Sequence, residues 1–416
     1  MPLGSSGWRE VYAAGSVPDI IAQRVSAPSA LYAFVIAALV VGLVGTPLAI
    51  RLARRLNVVD KPGGRRIHNQ PVPLLGGLGI MLGIVVAVFP NLPFTHSDYA
   101  AILVGAVLIS LLGAIDDGLG AVNPGGGGIS PPLKFLGQAA CAVIPVSQGV
   151  TIDHFTLPLI DPVSLGWVQY PITVVFIVAV ANIVNFADGM DGLAAGLCLI
   201  SAGTFCMLAL SLDRFAAATL AAAVAGACLG FLPWNFHPAK VFMGDAGSLP
   251  LGFLLASMSV TGVMKTAAAL ALVFPLIVLL VPILDTSFVI LKRLKYKQSV
   301  TVADRNHLHH RMLRVGYSQR QAALFLYGWC LVLAAFALAV RFLHYKHQDG
   351  SIDVSGTLAL SAFALVALSA SVFVVYELEI IKYRHLRMLG IARNADPEDD
   401  VPLVTERRRR REGVIG

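Results

Sequence analysis

The sequence has little charge. Of its 416 residues only 13% are Asp, Glu, Lys or Arg, against about 25% in ordinary soluble domains, while 56% are hydrophobic and mean hydropathy is +0.75. A soluble globular chain of this size is excluded. The net charge of +7 and the pI near 9.2 therefore do not point to nucleic acid, and the placement of the cations matters more than their sum. Paired cysteines are lacking too. Cys141, Cys198, Cys206, Cys228 and Cys330 each stand alone in an apolar stretch, without CxxC spacing or a neighbouring His, which excludes a disulfide or zinc framework. No repeat of fixed period runs through the chain, which counts against transporter folds built from duplicated halves. The apolar run after residue 28 exceeds a signal-peptide core and lacks an A-x-A site, so no cleavage is expected.

What the chain has is apolar runs of membrane-crossing length from end to end. They predict an all-α polytopic membrane protein with about eleven transmembrane helices, near 30–52, 74–90, 99–115, 133–149, 168–187, 191–211, 215–232, 248–264, 268–291, 321–341 and 355–381. Of the 31 Lys and Arg, 25 fall in alternate loops and the C-terminal tail: six within 51–66, Lys134, Lys240, eight within 292–320 and nine from Lys382 onward. Positive charge is retained inside, so the N-terminus is expected outside and the C-terminus in the cytoplasm. Three sections follow: an extracytoplasmic segment at 1–28 of no assigned role, a transmembrane domain at 29–385, and a basic, disordered cytoplasmic tail at 386–416.

Carboxylates are costly at membrane depth, so those beside the spans are the first candidates for chemistry. Asp116 and Asp117 are expected to end the third span, Asp188 and Asp191 sit between two spans with almost no loop, and Asp245 precedes another. All five open on the cytoplasmic side. A lone Asp at such a place is often a helix cap, as Asp191 before GLAAG or Asp245 before AGSLP could be. Five acidic groups on one face are better explained by a hard divalent cation that offsets their repulsion. The basic segment at 292–320 has the opposite character, with Arg305, His307, His309 and His310 in one short run. With no Cys nearby, that run reads as an anion clamp rather than a transition-metal site. The first cytoplasmic loop adds six cations and His68. The Gly125 to Gly128 run lacks a strand or a GK[ST], and reads as a connector. Asp285 stands inside the ninth span with its role open.

Carboxylates for a metal, cations for an anion and a membrane face together imply phosphoryl transfer involving a lipid. No nucleophilic side chain is required, because a phosphate monoester with its second pKa near ~6 is mostly dianionic at neutral pH. An ion-coupled transporter could use the same carboxylates, but transport sites lie near the midplane and these charges gather at one interface. A non-catalytic lipid-binding scaffold is the remaining class.

At four motifs the chain resembles the polyprenyl-phosphate N-acetylhexosamine-1-phosphate transferases, which include the WecA-type enzymes and the muropeptide translocases. The motifs are DD at 116–117, NxxNFxDGxDGLA at 182–194, HPAKVFMGDAGSLxLG at 237–252 and HLHH at 307–310, and the likeness spans roughly 30 to 385. It implies transfer of a sugar-1-phosphate from a UDP-sugar to a polyprenyl phosphate in a bacterial inner membrane, with Mg²⁺, or Mn²⁺ in its place, as cofactor. Carried over by motif position, Asp245 would be the metal ligand and Phe242 would stack on uracil. Asn182, Asn185 and Asp188 would bind the uridine side. Arg305 would bind substrate, and Asn235 and His307, His309 or His310 would hold diphosphate or sugar. Asp116, Asp117, Asp191, His307, His309 and His310 would be catalytic, with Asp116 and Asp117 facing the polyprenyl phosphate and Asp116 orienting or deprotonating it. PVPLLGG at 71–77 and HLHH with Arg305 upstream are similar to the WecA-type branch, which implies UDP-GlcNAc; the muropeptide substrate, UDP-MurNAc-pentapeptide, is the alternative. The partners so implied are UDP-GlcNAc, polyprenyl phosphate and membrane lipid, with no nucleic acid. A homodimer is allowed, though the spans specify no interface.

Overall fold

The structure is a computed structural model that describes residues 27–60, 71–90, 97–122, 127–155, 163–263, 318–343 and 353–377. Compactness divides the chain after Ala370, and the described part of the second unit, 371–377, is the end of the last helix. The helices are α1 (Ala27–Val40), α2 (Thr46–Arg55), α3 (Gly76–Val88), α4 (Ser97–Val122), α5 (Pro131–Ser147), α6 (Gln169–Ala187), α7 (Leu193–Leu210), α8 (Phe215–Asn235), α9 (Asp245–Met258), α10 (Gln319–Phe342) and α11 (Val354–Glu377). Two short antiparallel pairs complete them, β1 (Val59–Asp60) with β2 (Val72–Pro73) and β3 (His154–Phe155) with β4 (Val163–Ser164).

The chain is all-α and multi-spanning. Among the described residues seven helical stretches are long and apolar enough to cross a membrane: Pro28–Arg55, Asp98–Val122, Gly166–Ala187, Leu193–Leu210, Phe215–Asn235, Gln319–Phe342 and Val354–Val374. Helices also stand where shorter spans were expected, at α3, α5 and α9, while the expected span at 268–291 lies outside the described residues. One boundary differs. α4 runs on to Val122, so Asp116 and Asp117 sit on a helix rather than at its end. The residues after them, GLGAV, contain no proline and continue the backbone hydrogen bonding.

Within lipid-like surroundings apolar burial does not by itself drive helices together, and close approach of small side chains does. The Ala-rich α8 meets α1 in this way: Gly226 and Gly230 rest on the carbonyls of Phe34 and Ala38. A π turn at Val41–Gly45 joins α1 to α2, and there Gly45 packs on Gly79 of α3. The Trp234 indole N–H donates to the Gly42 carbonyl at 3.0 Å, tying the end of α8 to this turn.

At the centre lies α9. Every residue from Ala246 to Met258 is buried, among α3, α4, α6 and α7. Its neighbours again approach through glycine. A side-chain carbon at Gly77 would strike the backbone of Ala246 and Gly247, one at Gly113 would strike the Asp245 carbonyl, and one at Gly252 would lie 2.7 Å from Ala181 Cα. These contacts fix the N-terminus of α9 in space.

Candidate active site

The last turns of α4, the first turn of α5, the last turn of α6 and the start of α9 meet at one end of the bundle. Asp116 and Asp117, Lys134, Asn185 and Asp188, and Asp245 are brought together there. The loop leading to α9 is held by backbone: Phe242 N–H donates to Pro73 O at 2.9 Å, Gly76 N–H to Phe242 O at 3.0 Å and Gly77 N–H to Met243 O at 2.9 Å. Phe242 is half-buried on this strap. Gly244 follows at φ +66°, a left-handed conformation that glycine adopts without a Cβ penalty, and a side chain there would strike the Asp117 carboxylate.

Asp117 caps α9 from another helix. Its two carboxylate oxygens accept from the N–H groups of Asp245, at 3.2 Å, and Ala246, at 3.1 Å. The cap position itself is Gly244, which has no side chain to offer, and Gly192 occupies the same place before α7. Capping chemistry is therefore present, but neither Asp191 nor Asp245 supplies it to its own helix. Ser110 adds a hydroxyl donated to Ala246 O at 2.6 Å.

With its backbone so fixed, Asp245 presents both carboxylate oxygens to partners. Oδ1 accepts from Asn185 Nδ2 at 2.7 Å, and the same amide donates to Ser248 Oγ at 2.8 Å. Oδ2 accepts from the Lys134 ammonium. Lys134 also donates to Asp116 Oδ2 at 2.8 Å, and Asp116 Oδ1 accepts from Ile129 N–H at 2.6 Å. One cation thus bridges two carboxylates from different helices. Gly128, at the end of the glycine run, packs directly on Asp116.

Asp188 lies beside this group at the end of α6. Its N–H closes the helix onto Val184 O and Asn185 O, and its carboxylate has no hydrogen-bond donor among the described residues. Burial, and then the charges of Asp245, Asp117 and Asp191, push its pKa well above the usual carboxylate range. Asp191 is bound to the loop before α9 rather than to the bridged pair. Its Oδ2 lies 2.7 Å from His237 Nδ1 and accepts from Ala239 N–H at 3.1 Å.

The asparagines divide. Asn185 is in the cluster, whereas Asn182 forms a part-buried joint with Gln138, donating to its Oε1 at 2.5 Å and to Val178 O at 2.8 Å. Asn235 is 2% exposed and its amide is committed to backbone: Oδ1 accepts from Gly192 N–H at 3.0 Å and Nδ2 donates to Val241 O at 3.0 Å. Tyr327 of α10 donates to Gly192 O at 2.5 Å, and Arg320 to His237 O at 2.9 Å, so α10 braces the same loops. Arg305, His307, His309 and His310, with His68 and Asp285, lie outside the described residues.

Could the cluster hold a hard cation? Among the described residues no three His, Cys, Asp or Glu side chains meet at metal-binding spacing. Asp116 and Asp245 do share one cation, the Lys134 ammonium, at a partly buried position where the three side chains are 15% to 20% exposed. Two carboxylates of this kind suit Mg²⁺, which usually takes one or two from the protein and completes its shell with water and phosphate oxygens. Lys134 is the residue that sequence reasoning missed, having counted it only as a topological charge. Its signal was available, since it is the single charged residue between 127 and 150, in an otherwise apolar stretch.

The chain also resembles known proteins. The Glycosyl transferase family 4 model matches residues 99–263, the segment that carries every described site residue. The chain is 40% identical to the probable undecaprenyl-phosphate N-acetylglucosaminyl 1-phosphate transferase of Bacillus subtilis over 74% of its own length and 84% of the relative. It is 35% identical to the decaprenyl-phosphate N-acetylglucosaminephosphotransferase of Mycobacterium leprae, over 78% of its length and 87% of that protein. A phospho-N-acetylmuramoyl-pentapeptide-transferase of Halalkalibacterium halodurans is 31% identical over 72% of the chain and 94% of the relative.

Proposed function

The chain belongs to the family of polyprenyl-phosphate N-acetylglucosamine-1-phosphate transferases, and on that premise we propose that it passes GlcNAc-1-phosphate from UDP-GlcNAc to a polyprenyl phosphate. UMP leaves and polyprenyl-PP-GlcNAc forms, a first membrane step of cell-envelope glycan synthesis. It is a phosphotransferase, multi-pass in the bacterial inner membrane. The observation that carries the reading is the chain Asp116, Lys134, Asp245, Asn185 at one end of the bundle.

Both reactants are anionic phosphates, so the catalyst must offset charge and align them. Asp245 and Asp116 are the residues to hold Mg²⁺, which when bound supplies charge neutralisation on the UDP diphosphate. Asn185 fixes the Asp245 carboxylate through Oδ1, and Asp117 fixes its backbone. Motif position would put Asp116 on the acceptor, but because it shares the Lys134 ammonium with Asp245 it is assigned here to the metal, and the polyprenyl phosphate, mostly dianionic at neutral pH, needs no base. An oxygen of that phosphate attacks the phosphorus bearing the sugar, and the bond to UMP breaks. Phe242 is placed on the uracil, and Asn185 and Asp188 toward the uridine. Arg305, His307, His309 and His310 are assigned to diphosphate and sugar. Asn182, Asn235 and Asp191 are assigned to holding these elements in place, since each is engaged with other parts of the bundle.

The same reading takes eleven spans over 29–385, an N-terminus outside, a cytoplasmic basic tail from 386, the site on the cytoplasmic face, and exposed apolar side chains such as Leu358, Leu365 and Leu368 against lipid. A homodimer is compatible with it. The test is turnover by purified protein with polyprenyl phosphate and Mg²⁺, offered either UDP-GlcNAc or UDP-MurNAc-pentapeptide. UMP release with UDP-GlcNAc alone supports the proposal; release only with the muropeptide substrate moves the chain to the translocase branch.

A further inference from the structure

We propose that Lys134 is a built-in counter-ion that a divalent cation must displace from Asp116 and Asp245, so that metal uptake frees its ammonium to face the bound diphosphate. The inference rests on the proposed metal-dependent transfer, and deepens the assignment of that site.

Three observations carry it. The ammonium bonds both carboxylates that are the metal's oxygen donors, at 2.8 Å to Asp116 and in close contact with Asp245, so it and a metal ion contend for the same lone pairs. The carboxylates have little freedom to serve both cations by moving apart. Asp245 is pinned by the Asp117 cap on its backbone and by Asn185 on Oδ1, and Asp116 by Ile129 N–H on Oδ1. The lysine is the part that can move. It sits in the first turn of α5 on a flexible four-carbon stem, and its side chain is 20% exposed, so an outward path exists.

The consequence is a site whose charge stays balanced throughout. Asp116 and Asp245 repel each other when unpaired, and Lys134 offsets that repulsion before the metal arrives. When the metal takes the carboxylates, an ammonium is released within one side-chain length of the place where anionic substrate phosphates gather. Apparent metal affinity is lowered by the fraction of time Lys134 holds the carboxylates. If it does so nine-tenths of the time, the loss is about tenfold.

Two measurements on the full-length protein in detergent test this. Mn²⁺ binding is followed by the paramagnetic resonance signal of the free ion, for the wild type and for Lys134→Met, without nucleotide. Acylation of the Lys134 amine in the wild type is read by mass spectrometry with and without saturating Mn²⁺. The expected results are roughly tenfold tighter Mn²⁺ binding in the variant, and acylation of Lys134 that rises severalfold when Mn²⁺ binds, while Lys240 serves as an unaffected reference. Acylation that stays unchanged with Mn²⁺ bound would overturn the proposal, as would equal or weaker binding by a folded variant. Should Lys134→Met fail to fold, the wild-type labelling alone decides. Absence of Mn²⁺ binding in both proteins also overturns it, and the transferase reading then stands or falls separately on wild-type UMP release.

Discussion

Replacing Asp117 with Ala takes both acceptors from the N–H groups that open α9. Gly244 cannot substitute, having no side chain, and the helix behind it is buried from Ala246 to Met258, so water cannot readily take over. Loss of an N-cap costs about 0.5–2 kcal/mol in general, and a buried N–H left without a partner costs about 1–3 kcal/mol. The two figures describe overlapping losses and do not add. Removing a buried carboxylate from the neighbourhood of Asp188 and Asp245 returns part of the loss. A net destabilisation of about 1–2 kcal/mol remains, which hydrogen exchange reads as a roughly tenfold fall in protection at the first amides of α9. Asp117→Asn keeps an oxygen acceptor and should recover part of both protection and turnover. If Asp117→Ala loses turnover while α9 amides and the melting temperature stay at wild-type values, Asp117 contacts substrate directly and the capping argument fails.

Other expectations follow from the same geometry. Asp188 has a raised pKa in the folded protein, so the folded state binds the extra proton and stability falls as pH rises from the ordinary carboxylate range through that raised value. Asp188→Asn should therefore raise the metal-free melting temperature at neutral pH, with the gain vanishing under acid conditions below the ordinary range; an equal gain at every pH would contradict this. Gly77→Ala drives a methyl group into the backbone of Gly247, and overpacking of this kind costs about 1–3 kcal/mol, visible as a lower melting temperature. Asn185→Ala leaves Asp245 Oδ1 without its amide donor and should lower turnover by at least about tenfold, consistent with losing a hydrogen bond of about 1.5 kcal/mol to a charged group. Leucine in the same place would restore volume but not turnover.

Much of the site was legible because its carboxylates are expensive. Asp116, Asp188 and Asp245 stand out in a chain with 13% charge, and alternation of helices was enough to bring them to one end. Their division of labour was not legible. Adjacent Asp116 and Asp117 look equivalent in sequence, yet about 100° of helical rotation separates their side chains, so one meets Lys134 and the other the start of α9. Asn182 and Asn185 differ by one turn, and what separates them is their partners, Gln138 and Asp245, which lie far away along the chain. Apolar length marked the helices well, but it placed the end of the third span at the charges, where the helix continues to Val122. A carboxylate that is hydrogen-bonded across helices does not terminate one.

The most direct test of the central claim is UMP release from UDP-GlcNAc and polyprenyl phosphate by wild type and Asp245→Ala, both with Mg²⁺ and both shown to be folded by their melting curves. The structure puts Asp245 at the meeting point of Asn185, Lys134 and the capped end of α9. Release by the wild type and its loss to background in the variant is the predicted result. Wild-type turnover by the variant would contradict it, since no carboxylate other than Asp116 reaches the Lys134 position among the described residues.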